Sequence, residues 1–294
     1  MSRRAWIAFA FMAVVWGLPY LFMRVAVAEV SPVFVAWTRL LIAATLLLPL
    51  AAARGVLPTA RGRLGWLALL AAFYMALAFT MLPLAERVLP SSLTAIVIAG
   101  VPIVVTLISL PSEVPSPGRI VGLALGLAGV AALVGLDIGV RPDQLLAVGF
   151  LVVVLGCYAI GPVLVRSRLG AVHPLALSAS ATGMAALLLT PVVAVQWPAR
   201  LPSTAVLLSL AGLGVLCTAI ALATWFFLIQ EAGPARATLV TYVNPVVAVI
   251  AGAALLHETV GPGALAGMVL ILGGSWLATG GTRPRRPAVA AEAA

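Results

Sequence analysis

The chain has no lysine and a single asparagine, Asn244, in 294 residues. Charged residues make up 9% of it, where a soluble domain carries about a quarter. No polar stretch is long enough to form a water-soluble domain. Only two cysteines are present, Cys157 and Cys217, both inside apolar runs. That excludes a disulfide framework and a cysteine metal site; both read as small core residues. The two histidines, His173 and His257, fall in connections, so neither suits a proton relay at the membrane midplane. No nucleophile elbow, phosphate loop or paired intramembrane carboxylate is present, and His257-Glu258 lacks the second histidine of a metalloprotease helix. An enzyme is therefore not expected, nor any cofactor or metal.

Acidic residues are as scarce. Glu86, Glu113, Asp137, Asp143, Glu231 and Glu258 all fall at predicted helix ends or in loops. A proton-coupled exporter of cationic drugs needs an acid deep in the membrane, so multidrug cation antiport is not expected. Glu113 and Glu258 read as end-of-helix ion pairs or gates.

What the chain has in abundance is apolar sequence: 63% of residues, with mean hydropathy +1.20. About twenty apolar residues cross a bilayer as a helix. On that basis ten spans are predicted: 5–26, 33–52, 64–84, 92–110, 120–136, 145–165, 174–195, 204–229, 235–256 and 264–278. The first run imitates a secretory signal, with Arg3-Arg4 ahead of it and Ala26-Val27-Ala28 behind. It also carries Trp16, Gly17, Pro19 and Arg24, and it is expected to be kept as a span.

Orientation follows from arginine. With the N-terminus in the cytoplasm, twelve arginines lie inside (Arg3, Arg4, Arg54, Arg61, Arg63, Arg119, Arg166, Arg168, Arg236, Arg283, Arg285 and Arg286). Four lie outside: Arg24, Arg87, Arg141 and Arg200. This satisfies the positive-inside rule and places both termini in the cytoplasm of a cell (inner or plasma) membrane. The net charge of +9 then reports cytoplasmic loops and anionic lipid heads rather than nucleic acid.

The two halves repeat. Setting Glu113 on Glu258 aligns Pro117-Gly118 with Pro262-Gly263, Gly122 with Gly267 and Gly129 with Gly274. Pro32 and Pro49 answer Pro174 and Pro191, Pro90 answers Pro234, and Pro102 answers Pro245. The predicted fold is an all-α membrane protein of ten transmembrane helices in two five-helix units, 1–137 and 142–281, with a disordered tail over 282–294. An odd number of spans per unit inverts the second copy, as in many secondary transporters.

The residues WGLPYLFMRVAV, then Ser31-Pro32, then WTRLLIAA resemble the opening of EamA-type carriers of the drug/metabolite transporter superfamily. So does each repeat's ending: a proline-centred helix, a glutamate and a glycine-rich last helix. The family's Gly-Glu-Arg is reduced here to Ser112-Glu113-Val114 and His257-Glu258-Thr259. The resemblance implies ten helices around a central cavity and export of amino acids and related metabolites. It also implies lining mainly by helices one, three, four, six, eight and nine, with five and ten peripheral.

Candidate site residues follow from chemistry. Pro102 and Pro245 stand mid-span, where each would free a carbonyl, of Ile98 and of Thr241, beside a hinge. Asn244 can donate and accept, with Thr241 and Tyr242 nearby, so it suits a polar or zwitterionic substrate. The bland alternative is an interhelical hydrogen bond. Trp16, Tyr74, Tyr158 and Tyr242 lie deep in spans, away from the interfaces that Trp and Tyr prefer, and predict a wet cavity. Arg39 lies about two turns into the second span, opposite Ala181 in the repeat. It is expected to act first as a structural or gating group and second on substrate; the resemblance supports it as the family's helix-two arginine. The glycine pairs Gly122/Gly126 and Gly263/Gly267 suit close helix packing, within one chain or between two. The expected function is a carrier of small polar metabolites such as amino acids, working outward by alternating access as a monomer or homodimer. The alternatives are a passive facilitator or an exporter of other metabolites or drugs.

Overall fold

The computed structural model describes residues 2–109, 117–133, 141–232, 240 and 243–278. Glu113, Thr241, Tyr242 and the tail after Gly281 lie outside them. The described residues form α-helices with short π and 3-10 segments, and no strand. In order, α1 is Arg3–Val15, α2 Leu18–Ala26, α3 Pro32–Ala53, α4 Leu64–Leu70 and α5 Ala78–Glu86. Then α6 is Ser91–Ile98, α7 Val101–Ser109, α8 Pro117–Leu133, α9 Pro142–Arg168 and α10 Pro174–Val195. Last come α11 Thr204–Ala211, α12 Ala221–Ala232, α13 Asn244–Leu256 and α14 Pro262–Ala278.

Six helical stretches are long and apolar enough to cross a membrane: Arg3–Ala26, Pro32–Ala53, Leu64–Glu86, Pro142–Val165, Pro174–Val195 and Thr204–Trp225. Three shorter ones are equally apolar: Ile120–Gly129, Asn244–Leu256 and Pro262–Leu277. The protein is a multi-pass membrane protein.

Helix starts follow local chemistry. Ser31 and Ser203 each accept a bond from a first-turn N–H, and proline fills the first position of α3, α9 and α10, where its missing donor costs nothing. Connections meet at two ends of the bundle. At one end Glu29 accepts from Ser203, and Glu258 accepts from Ser91 and Ser92. At the other, His173 N–H donates to Thr59 Oγ1 at 3.1 Å and Arg63 donates to the Arg168 carbonyl at 3.1 Å. This two-ended gathering is what antiparallel neighbours produce.

Glycine decides the most extensive helix pairing, α8 on α14. A Cβ on Gly274 would stand 2.5 Å from the Gly126 nitrogen and 2.6 Å from the Gly122 carbonyl oxygen. The two backbones touch, so these glycines are used inside the chain. The second extensive pairing is α3 on α10.

Two predicted spans are interrupted. The span predicted as 92–110 is two helices, α6 and α7, separated at Ala99–Gly100. The break lies before Pro102, which falls in the first turn of α7. Ile103 N–H turns to Gly100, and the Ala99 carbonyl instead accepts from Ser275 Oγ of α14 at 3.2 Å. The first span also breaks, at Trp16–Gly17, where the sequence predicted continuity. Pro19 is the cause: it has no N–H for the Val15 carbonyl, which accepts from Cys217 Sγ at 3.5 Å. Pro245 does not kink a described helix. It occupies the first turn of α13, the position that proline favours.

Candidate functional site

A cavity of about 130 Å³ lies in the middle of the bundle. It is lined from both halves: Trp16, Pro19 and Tyr20 of the broken first helix, Arg39 of α3, Phe79 and Leu82 of α5, and Tyr158 of α9. Tyr74 enters from the π segment Ala71–Leu77, and Cys217 from the π segment Gly212–Ile220. Trp225 of α12, Asn244 and Pro245 of α13, and the α6–α7 break complete the wall. Breaks, prolines and π turns, all of which free backbone groups, concentrate here. Such segments survive in a membrane only beside protein or a watery cavity.

Arg39 is 4% exposed and does not reach the headgroups. Its Nε donates to Thr218 Oγ1 at 3.0 Å, and its guanidinium lies 4.0 Å from the centre of the Phe79 ring. Thr218 can accept because it donates back to the Leu213 carbonyl at 2.7 Å, five residues earlier, in the wider π turn. No carboxylate pairs with Arg39 among the described residues. Asn244 is 8% exposed. With its amide nitrogen facing the Val240 and Ala13 carbonyls, it donates to them at 3.0 and 3.1 Å. Ala13 belongs to the turn that the Trp16–Gly17 break opens. The interhelical bond weighed from the sequence is therefore formed, and it ties α13 to α1.

Aromatic rings supply the rest. Trp16 packs on Trp225 at 4.7 Å between centroids, and Tyr74 on Tyr158 at 5.4 Å. Among the described residues no hydrogen bond is made by the hydroxyls of Tyr20, Tyr74 or Tyr158. Trp16, Tyr74, Tyr158, Asn244, Pro245 and Arg39 thus meet at one cavity. Pro102 lies one residue beyond lining Val101. The lining comes from the α1–α2 break, α5, α6–α7, α9, α12, α13 and the two π segments, and from α3 through Arg39. Sequence reasoning missed Trp225 and Phe79, and it placed Tyr20 deep in a span without assigning it to the cavity. Trp225 carried the same signal as Trp16, a tryptophan deep in a span.

The carboxylates depart from expectation. Glu258 forms no ion pair among the described residues. It accepts from Ser91 N–H at 2.8 Å, Ser92 N–H at 3.1 Å and Ser92 Oγ at 2.9 Å, so it caps the start of α6. The chain reaches back because His257 takes a left-handed turn, φ 55°, after α13. The carboxylate then lies over Gly252, where a Cβ would come within 2.6 Å of it. Glu86 does sit at a helix end, yet it is wholly buried. Glu29, outside the spans, accepts both the Oγ–H and N–H of Ser203 at 2.6 and 2.7 Å. Those two bonds hold its carboxyl below the usual glutamate value.

The EamA-like transporter family matches this chain over residues 4–135 and 145–280, one stretch in each half. The chain belongs to that family. It is similar to the "uncharacterized inner membrane transporter YedA" of Escherichia coli K12: 32% identical over 256 residues, 84% of this chain and 81% of the relative. An "uncharacterized transporter" of Archaeoglobus fulgidus is 25% identical over 287 residues, 93% of this chain and 98% of that one. A solved crystal structure superposes with a TM-score of 0.69 at 21% identity, over 94% of this chain and 97% of its own. At that identity the likeness concerns the fold. The chain is accordingly a membrane transporter.

Proposed function

We propose that this EamA-like transporter is a secondary carrier that moves a small polar metabolite, such as an amino acid, outward by alternating access. In this reading ten spans form two inverted five-helix repeats, 1–137 and 142–281, in the cell membrane with both termini cytoplasmic. One observation carries it: the central cavity joins both halves and holds a guanidinium with no acidic partner among the described residues. Arg39 suits a substrate carboxylate. The faces of Trp16 and Trp225 and the tyrosine hydroxyls suit an ammonium group. The volume suits a small solute, since a cavity of roughly 150 Å³ holds benzene. Paired features support the duplication, among them a π segment in the middle helix of each half and Pro49 within α3 answering Pro191 within α10.

Counterflow in liposomes preloaded with each of the twenty amino acids tests this. Saturable exchange that falls at least tenfold in Arg39→Ala supports the carrier and its site. Flux that rises linearly with concentration marks a facilitator. No exchange of any amino acid by folded protein removes the amino-acid assignment.

A further inference from the structure

Glu86 is 0% exposed, and among the described residues neither carboxyl oxygen has a hydrogen-bond partner. Arg24 does not relieve this. Arg24 Nη1 donates to the main-chain carbonyl of Glu86, not to its carboxylate. The charged and titratable groups facing Glu86 are Arg24 and Tyr20 of α2, Arg39 of α3 and Glu258 after α13. Arg87, next in the chain, is exposed.

Glu86 and Glu258 therefore face each other at one end of the bundle with opposite surroundings, Glu86 buried and Glu258 half-buried. Glu258 receives three donors at the start of α6, where an anion is favoured. Glu86 receives none. A buried ionised carboxylate without a partner is among the costliest groups a fold can hold, and a like charge beside it adds to that cost. A bound proton removes both costs together.

We propose that Glu86 is the proton-binding site of this carrier, and that its proton is retained while Glu258 closes this end of the bundle onto α6. The proposal rests on the alternating-access reading. Loss of the proton would put two negative charges side by side at this end. That favours release of Glu258 from Ser91 and Ser92, which opens this end, and rebinding a proton lets it close again.

Infrared titration of the purified full chain in lipid nanodiscs tests the site with no solute present. Wild type is expected to show a protonated-carboxyl band at neutral pH. The band should vanish in Glu86→Gln, persist in Glu86→Asp and titrate at lower pH in Glu258→Gln. No band in wild type, or one that survives in Glu86→Gln, overturns the site. An unchanged titration in Glu258→Gln overturns the link between the two acids and leaves the carrier reading intact.

Discussion

At the scale of residues, the cavity depends on groups that hold one another. Arg39 is positioned by Thr218, and Thr218 by the π turn beneath it. Thr218→Val keeps the shape and removes the acceptor, which leaves a buried guanidinium donor unpaired. The expected loss is about 1–3 kcal/mol, read as a lower thermal midpoint in detergent, with exchange reduced as well. Arg39→Lys keeps the charge but cannot reproduce the side-on bond and the ring stacking together. Its exchange should fall toward that of Arg39→Ala; wild-type exchange would show that charge alone suffices. Glu29 makes a prediction about pH. Its carboxyl is held below the unfolded value, so its contribution is complete above about 4.3 and is lost as pH falls through the lower folded value. The midpoint difference between wild type and Glu29→Gln should be constant near neutrality and vanish in acid. A difference that grows in acid would contradict this.

At the scale of elements, backbone contacts decide tolerance. Gly274 meets the backbone of α8, which cannot yield as a side chain can. Gly274→Ala should therefore cost about 1–3 kcal/mol. Gly273→Ala, its neighbour with nothing within 4 Å, should change stability by less than about 0.5 kcal/mol. Equal effects in denaturation curves would mean that α8 and α14 pack less closely. Gly252→Ala tests the clasp at the start of α6. The first atom that its Cβ meets is the Glu258 carboxylate, the movable end of a flexible side chain. The carboxylate should shift and α6 lose its cap, at a cost of about 0.5–2 kcal/mol. Hydrogen exchange at Ser91 and Ser92 should rise in this variant with the rest of the fold unchanged.

At the scale of the molecule, loop contacts sort the connections into two ends. Glu29 with Ser203, and Glu258 with Ser91, mark one; Thr59 with His173 marks the other. Impermeant maleimide applied to intact cells should label Ala28→Cys and Leu201→Cys, and should label Arg61→Cys only after lysis. The reverse pattern would invert the proposed orientation. The native thiols Cys157 and Cys217 are buried and should not interfere.

The sequence by itself determined the membrane class, the family, the spacing shared by the two halves and several residues that line the cavity. These are legible because the bilayer dictates helix length and apolarity, and because a tryptophan or tyrosine deep in a span stands out against lipid-facing leucine. Trp16, Tyr74 and Tyr158 were visible for that reason, and Asn244 because it is the only residue of its type. Tertiary structure alone decided where the helices break and who takes the freed carbonyls. Pro19 marks a break, but nothing local in Cys217, Asn244 or Ser275 says that they answer Val15, Ala13 and Ala99. Tertiary structure also decided the environments of the acids. Glu86 and Glu258 look alike in the chain, each at a helix end. Glu258 is cradled by a helix start, and Glu86 is enclosed without a donor among the described residues. Hydropathy is a property of a segment, whereas the surroundings of a carboxylate are set by residues more than 160 positions away.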